Sequence, residues 1–200
     1  MHLTLLERLK TETRPAHDRI ERAVDIERRV ASHAAYRALL ARFYGFHAAW
    51  EPQAAALIAD PAFFEPRRKA ALLARDLRFL GLDDLDRLPR CTPLMPMADR
   101  AAAFGALYVV EGSTLGGTII ARQVERSLGL TAGAGCSYFR SYGPDLGPMW
   151  KAFGRRLLAL SNPAFDDRVV ASANRTFETM RLWLSEEAPL QAHPVTEAAA

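Results

Sequence analysis

Cysteine, lysine and strand-like alternation are all scarce in this chain of 200 residues, and each scarcity removes a class of protein. Cys91 and Cys136 make neither a metal-binding nor a redox pattern and need not pair. A cysteine hydrolase would need one of them activated by a nearby base, and neither neighbourhood offers one. No glutamate has a histidine three residues later, which excludes the di-iron carboxylate bundles that need Glu-x-x-His on two helices. Histidine pairs at i, i+4 and a Cys-x-x-Cys-His motif are missing too. Val and Ile never alternate over more than a few residues, no hairpin dipeptide joins two strand-like runs, and no glycine loop follows a strand to bind a nucleotide. No apolar run reaches membrane-spanning length, and the amphipathic start MHLTLLERLK lacks a signal-peptide core. The expectation is a soluble, cytoplasmic protein without a membrane partner. Net charge is only +3, carried by arginine rather than lysine with both signs interspersed. That balance suits a basic face for an acidic protein or an anionic ligand, and does not suggest nucleic-acid binding.

What remains is helix. The chain is long enough for one domain with a full core, and no repeat or linker divides it. Leu3 to about Val24 is a basic amphipathic pattern interrupted by Pro15, and Ser32 can cap a helix from His33 to about Ala59 that bends before Pro52. Pro66 to Leu80 reads as a third helix ending at Gly81, and a proline-containing connection runs from Leu88 to Met97. Thr131 to Gly147 reads as a loop, followed by helices over Asp145–Leu160 and Pro163–Ser185. The expected fold class is all-α, a single-domain helical bundle over residues 1–187 with a frayed tail over 188–200.

The stretch Asp99–Leu130 organises the rest. Small and apolar residues recur at helical spacing, Asp99 can cap the start and Gly129 can mark the end. Yet Gly105, Gly112, Gly116 and Gly117 lie inside it, and four interior glycines cost about 3–4 kcal/mol against alanine. At about 100° per residue, Gly105, Gly112 and Gly116 share one narrow arc. Something lies close against the backbone there. It is either a neighbouring helix across Gly112-x-x-x-Gly116 or a flat ligand, with Gly116-Gly117 giving the helix a place to bend.

Of the five histidines, His2 and His193 fall at the ends, His33 follows a cap, and His47 lies among aromatics in FYGFHAAWE as a satisfied core or boundary residue. His17 differs because Glu21, four residues on, shares its helical face, and Lys10 lies seven residues earlier on the same face. Such a pair is either a surface ion pair or a ligand imidazole whose second nitrogen is held by a carboxylate.

Three segments, AHDRIE, then LYVVEGSTLGG, then ANRTFETMRLW, together resemble the heme oxygenases, most closely the bacterial biliverdin-producing type, over about Leu5 to Leu184. The resemblance implies a bundle that holds heme between a proximal helix and a kinked, glycine-rich distal helix. His17 matches the axial ligand of the heme iron, and Glu21 the carboxylate holding its other nitrogen. Lys10, Lys151 and Arg155 match cations that meet the propionates, and Phe177 an aromatic lining the pocket. Gly112, Gly116 and Gly117 match the distal glycines, so a macrocycle explains the bare arc better than a helix crossing. Ser113 stands where well-studied members carry aspartate; a hydroxyl can still hold a water, but it is not an anionic acceptor. Pro15 is expected to kink or restart the proximal helix, which separates Lys10 from His17.

The implied activity is oxidative cleavage of heme to biliverdin, iron and carbon monoxide, with heme b as both substrate and cofactor and O2 as oxidant. No histidine or arginine falls among the distal glycines, so backbone, ordered water and Ser113 are left to donate hydrogen bonds there. Electrons must come from an external donor, by resemblance a ferredoxin or a flavoprotein reductase, and a bacteriophytochrome is a candidate consumer of the biliverdin. The competing readings are a heme-binding or trafficking protein with little turnover, and a helical relative acting on another small molecule without heme.

Overall fold

The computed structural model describes residues 3–91 and 96–185. Ten α-helices carry these residues: α1 Leu5–Glu12, α2 Arg14–Ala23, α3 Ile26–Arg29, α4 His33–Ile58, α5 Pro61–Phe64, α6 Ala70–Phe79, α7 Arg100–Leu128, α8 Ser137–Arg140, α9 Leu146–Ala159 and α10 Pro163–Ser185. Among the described residues no strand forms, and Thr131 makes only isolated bridges to Ala134 and Gly135.

Side-chain caps fix several helix starts. Thr4 and Glu7 form a reciprocal capping box on α1, Ser32 accepts from the Ala35 amide on α4, and Asp99 accepts from the Ala102 amide on α7. Gly129 closes α7 in the left-handed region at φ 67°. Pro52 sits inside the continuous helix α4.

Three long helices make the core. Trp50, Tyr36 and Phe46 of α4 and Phe104 of α7 are fully buried, and α10 lies along α7 while also packing on α2. Gly105 is where α7 and α10 touch. A Cβ there would collide with the Val169 carbonyl oxygen and come within 2.7 Å of the Ser172 Cβ. The Ser172 hydroxyl donates to the Ala102 carbonyl at 2.7 Å across the same crossing.

The expected restart at Pro15 is observed: Thr13 ends α1 and Pro15 lies in the first turn of α2, where a missing N–H costs nothing. The structure departs from the sequence reading at three places. Pro66 does not start a helix; it lies in a 3₁₀ turn over Glu65–Arg67, and α6 begins only at Ala70. The expected loop after Thr131 contains α8, whose Ser137, Tyr138 and Phe139 are buried. Finally, α7 has the length and composition of a membrane span, with a mean hydropathy of 1.3 over its most apolar window, although half of that window is buried in the bundle. The expected tail, His2 and His193 lie outside the described residues.

Candidate active site

The candidate site residues lie on α2 and the second half of α7, two helices that both pack on α10. On α2, His17 keeps 43% of its side chain exposed, yet its Nδ1 is shielded from solvent and lacks a geometrically good hydrogen bond. The nearest acceptors are Glu21 Oε2 at 3.5 Å and Asp18 Oδ1 at 3.9 Å. A carboxylate that accepts from Nδ1–H favours the tautomer whose Nε2 keeps its lone pair. No protein group holds Nε2 among the described residues. Phe177, buried on α10, stands edge-on to the imidazole with ring centroids 5.6 Å apart. The structure thus brings together His17, Glu21 and Phe177. It adds Asp18, whose donor atom lies within 4.8 Å of those of His17 and Glu21. Asp18 is already paired to Arg14 at 2.8 Å, so the trio orients an imidazole better than it cages an ion.

On α7, the glycine arc is bare only in part. A Cβ on Gly116 would meet nothing within 4 Å, and one on Gly112 would meet only Trp150 Cη2 at 4.0 Å. The alternative of a helix crossing over Gly112-x-x-x-Gly116 is therefore not met among the described residues. Leu115 and Ile119, 42% and 68% exposed, continue the same side of α7. An exposed apolar strip beside exposed backbone is the unusual feature of this surface. Gly117 faces elsewhere, 3.3 Å (from its added Cβ) to the Phe139 carbonyl oxygen. Ser113 is exposed and its hydroxyl donates to the Val110 carbonyl at 2.8 Å, within its own helix.

The three expected propionate cations stand on two adjacent helices. Lys10 is exposed on α1, and Lys151 and Arg155 are exposed one turn apart on α9, which packs on both α1 and α7. None of the three makes an ion pair among the described residues. The helix break at Thr13 means that helical spacing does not align Lys10 with His17. Trp150 precedes Lys151 on α9 and packs near Tyr108 of α7 with centroids 6.0 Å apart, so α9 borders the glycine helix as well as carrying these cations.

Sequence reasoning missed a buried polar cluster behind α7. Glu111 accepts from the Tyr142 hydroxyl and has Arg67 Nε 3.6 Å from its other oxygen. Burial raises the Glu111 pKa and lowers that of Lys69 to about 8. The sequence signal was Glu111 itself, a charge set between apolar turns in LYVVEGS.

His47 is a satisfied core histidine, as expected, with Nδ1 3.1 Å from Glu51 and Nε2 3.4 Å from the Tyr138 hydroxyl. Cys91 and Cys136 are both buried and not disulfide-bonded.

A long helix with a bare glycine face, in a bundle that also carries a histidine beside a carboxylate, suits a helical heme-handling protein. The heme oxygenase family model matches residues 3–186, and the chain belongs to that family. A heme oxygenase from Xanthomonas campestris pv. campestris (strain 8004) is 42% identical over 60 residues, a match that spans 30% of this chain and 33% of that relative. The fold is similar to the NO- and CO-bound heme oxygenase of Neisseria meningitidis, with a TM-score of 0.75 and 22% identity over 97% of this chain and 98% of that one. It is also similar to heme oxygenase 2 of Chlamydomonas reinhardtii solved without heme, with a TM-score of 0.73 and 17% identity over 96% and 100% of the two chains.

Proposed function

We propose that this protein cleaves heme oxidatively to biliverdin, iron and carbon monoxide, using O2 and electrons from an external ferredoxin or flavoprotein reductase. The observation that carries the reading is the bare backbone at Gly112 and Gly116, in a bundle that also carries an imidazole with a carboxylate 3.5 Å from its Nδ1. Heme, the substrate, supplies the iron chemistry when bound, and the residues present fit it. His17 would hold the iron through Nε2, Glu21 would accept from Nδ1–H and so set the tautomer and orientation, and Phe177 would limit the ring's rotation. Gly112 and Gly116 let a flat ring approach the helix, where any Cβ would hold it off. Lys10, Lys151 and Arg155 are the cations that would meet the propionates and select one seating of the ring. A bacteriophytochrome is a fitting consumer of the biliverdin, and a cytoplasmic location fits a donor of this kind.

One observation favours the second reading, a heme-binding or trafficking protein with little turnover. Ser113 spends its proton on its own helix, so it gives the distal side no free donor. Titration with heme, followed by ascorbate and O2, separates the two. An oxygenase develops a Soret band that depends on His17 and then bleaches to a biliverdin spectrum. A carrier keeps the band, and a protein that acts on something else never shows it.

A further inference from the structure

The second half of α7 turns an uncovered face outward. Leu115, Ile119, Arg122 and Arg126 follow one another at spacings of four, three and four, which sets them on one side of the helix with Gly112 and Gly116. All four are exposed, Ile119 by 68%. Leu3, Phe79, Leu158 and Leu182 are also large, apolar and exposed, but each stands singly on its own segment. Among the described residues only α7 presents two such side chains on consecutive turns.

Past the apolar pair the same face turns cationic. Among the described residues Arg122 and Arg126 make no hydrogen bond and no ion pair. Glu125, the carboxylate beside them, is taken by Arg140 through two hydrogen bonds of 2.7 and 2.5 Å, and Arg122 acts on it only at a distance. From Gly112 to Arg126 this side of the helix carries no carboxylate. An apolar pair followed by unpaired cations has the pattern of a helix that rests on lipid, where apolar side chains enter the headgroup boundary and basic ones meet the phosphates. The net charge of +3 has the sign that anionic headgroups attract. A protein partner would more often meet aromatic anchors at the centre of such a face, and this one has none.

We propose that the heme-free protein rests this face of α7 on an anionic phospholipid surface and collects its substrate there. Leu115 and Ile119 enter the headgroup boundary while Arg122 and Arg126 hold lipid phosphates. A porphyrin ring is apolar and dissolves in the same boundary, with its propionates at the water. The contact is peripheral, since half of the most apolar window of α7 is buried in the bundle. The expected lack of a membrane partner concerns a span, and a peripheral contact needs none. Gly116 shares the face with Leu115 and Ile119, so a ring that settles there takes the place of lipid and frees the protein. This hand-over rests on heme lying against Gly112 and Gly116; the docking does not.

Sedimentation of the heme-free protein with vesicles tests the docking. It should bind phosphatidylcholine vesicles that contain phosphatidylglycerol about tenfold more tightly than phosphatidylcholine alone, and let go as salt rises to about 0.5 M. Arg122→Gln with Arg126→Gln should weaken binding about fivefold for each arginine. Leu115→Gln with Ile119→Gln should weaken it about tenfold, and Leu182→Gln on α10 should change nothing. These positions are all exposed, and circular dichroism checks that the helices persist. As a second reading, a polarity-sensitive dye on Ile119→Cys should shift its emission to the blue on the vesicles. No binding, or binding indifferent to Leu115 and Ile119, overturns the docking. An acidic plant-type ferredoxin that binds through these residues, with vesicles ignored, gives the face to a protein and overturns the lipid. Heme added to the vesicle-bound protein should release it, and protein that binds heme yet stays on the lipid overturns the hand-over. Protein that binds the vesicles but never heme keeps the docking and overturns the heme reading.

Discussion

Gly105 and Gly116 lie on one stripe of one helix, and in sequence they send the same signal, yet they exist for different reasons. Gly105 is filled from outside by α10, whose Val169 carbonyl occupies the place of a side chain. Gly116, three turns on, has nothing within 4 Å of that place. The first glycine permits a helix crossing that helps to hold the fold. The second contributes nothing to the fold that alanine would not, and its cost in helix propensity makes sense only if something else approaches. One stripe thus divides into a covered half and a bare half.

Substitution should make that division visible in opposite signs. Gly105→Ala should show the largest effect on the fold, a loss of about 2 kcal/mol or more in denaturant unfolding, because its Cβ meets a backbone carbonyl that cannot swing aside. His17→Ala should show the largest effect on the ligand, with the fold kept and the axial-histidine spectrum lost, and with turnover recovering when imidazole is added. Unchanged spectra would remove His17 from the site. Gly116→Ala should stabilise the heme-free protein by up to about 1 kcal/mol while lowering activity. A loss of stability there would mean that the face is covered after all. The smallest effect belongs to the double change Lys151→Ala with Arg155→Ala. Exposed cations are worth only about 0–1 kcal/mol each, so heme should still bind. Two seatings of the ring differ tenfold for about 1.4 kcal/mol, so chromatography should find mixed biliverdin isomers. A single unchanged isomer would exclude both cations.

Much of the fold was legible because its helices carry local punctuation. Ser32, Asp99 and Gly129 each stand where a cap or a stop is observed. Pro66 misled because proline opens helices and 3₁₀ turns equally well. The segment after Thr131 misled because glycine and serine mask the buried face of Tyr138 and Phe139. At the site, His17 and Glu21 were legible because one helical turn joins them. The division of the glycine stripe was not, since what covers Gly105 comes from Val169 and Ser172, more than sixty residues away in sequence. Lys69, Glu111 and Tyr142 were illegible as a group for the same reason: three segments meet only when the bundle closes.

The most direct test is a heme titration of Gly116→Leu alongside its thermal unfolding without heme. The account predicts a protein at least as stable as the parent, because leucine favours helix over glycine by about 0.8–1 kcal/mol and the position is open. It also predicts that the variant binds heme far more weakly or without the normal His17-dependent Soret band. A Gly116→Leu protein that binds heme and turns it over normally would contradict the placement of the ligand against this face.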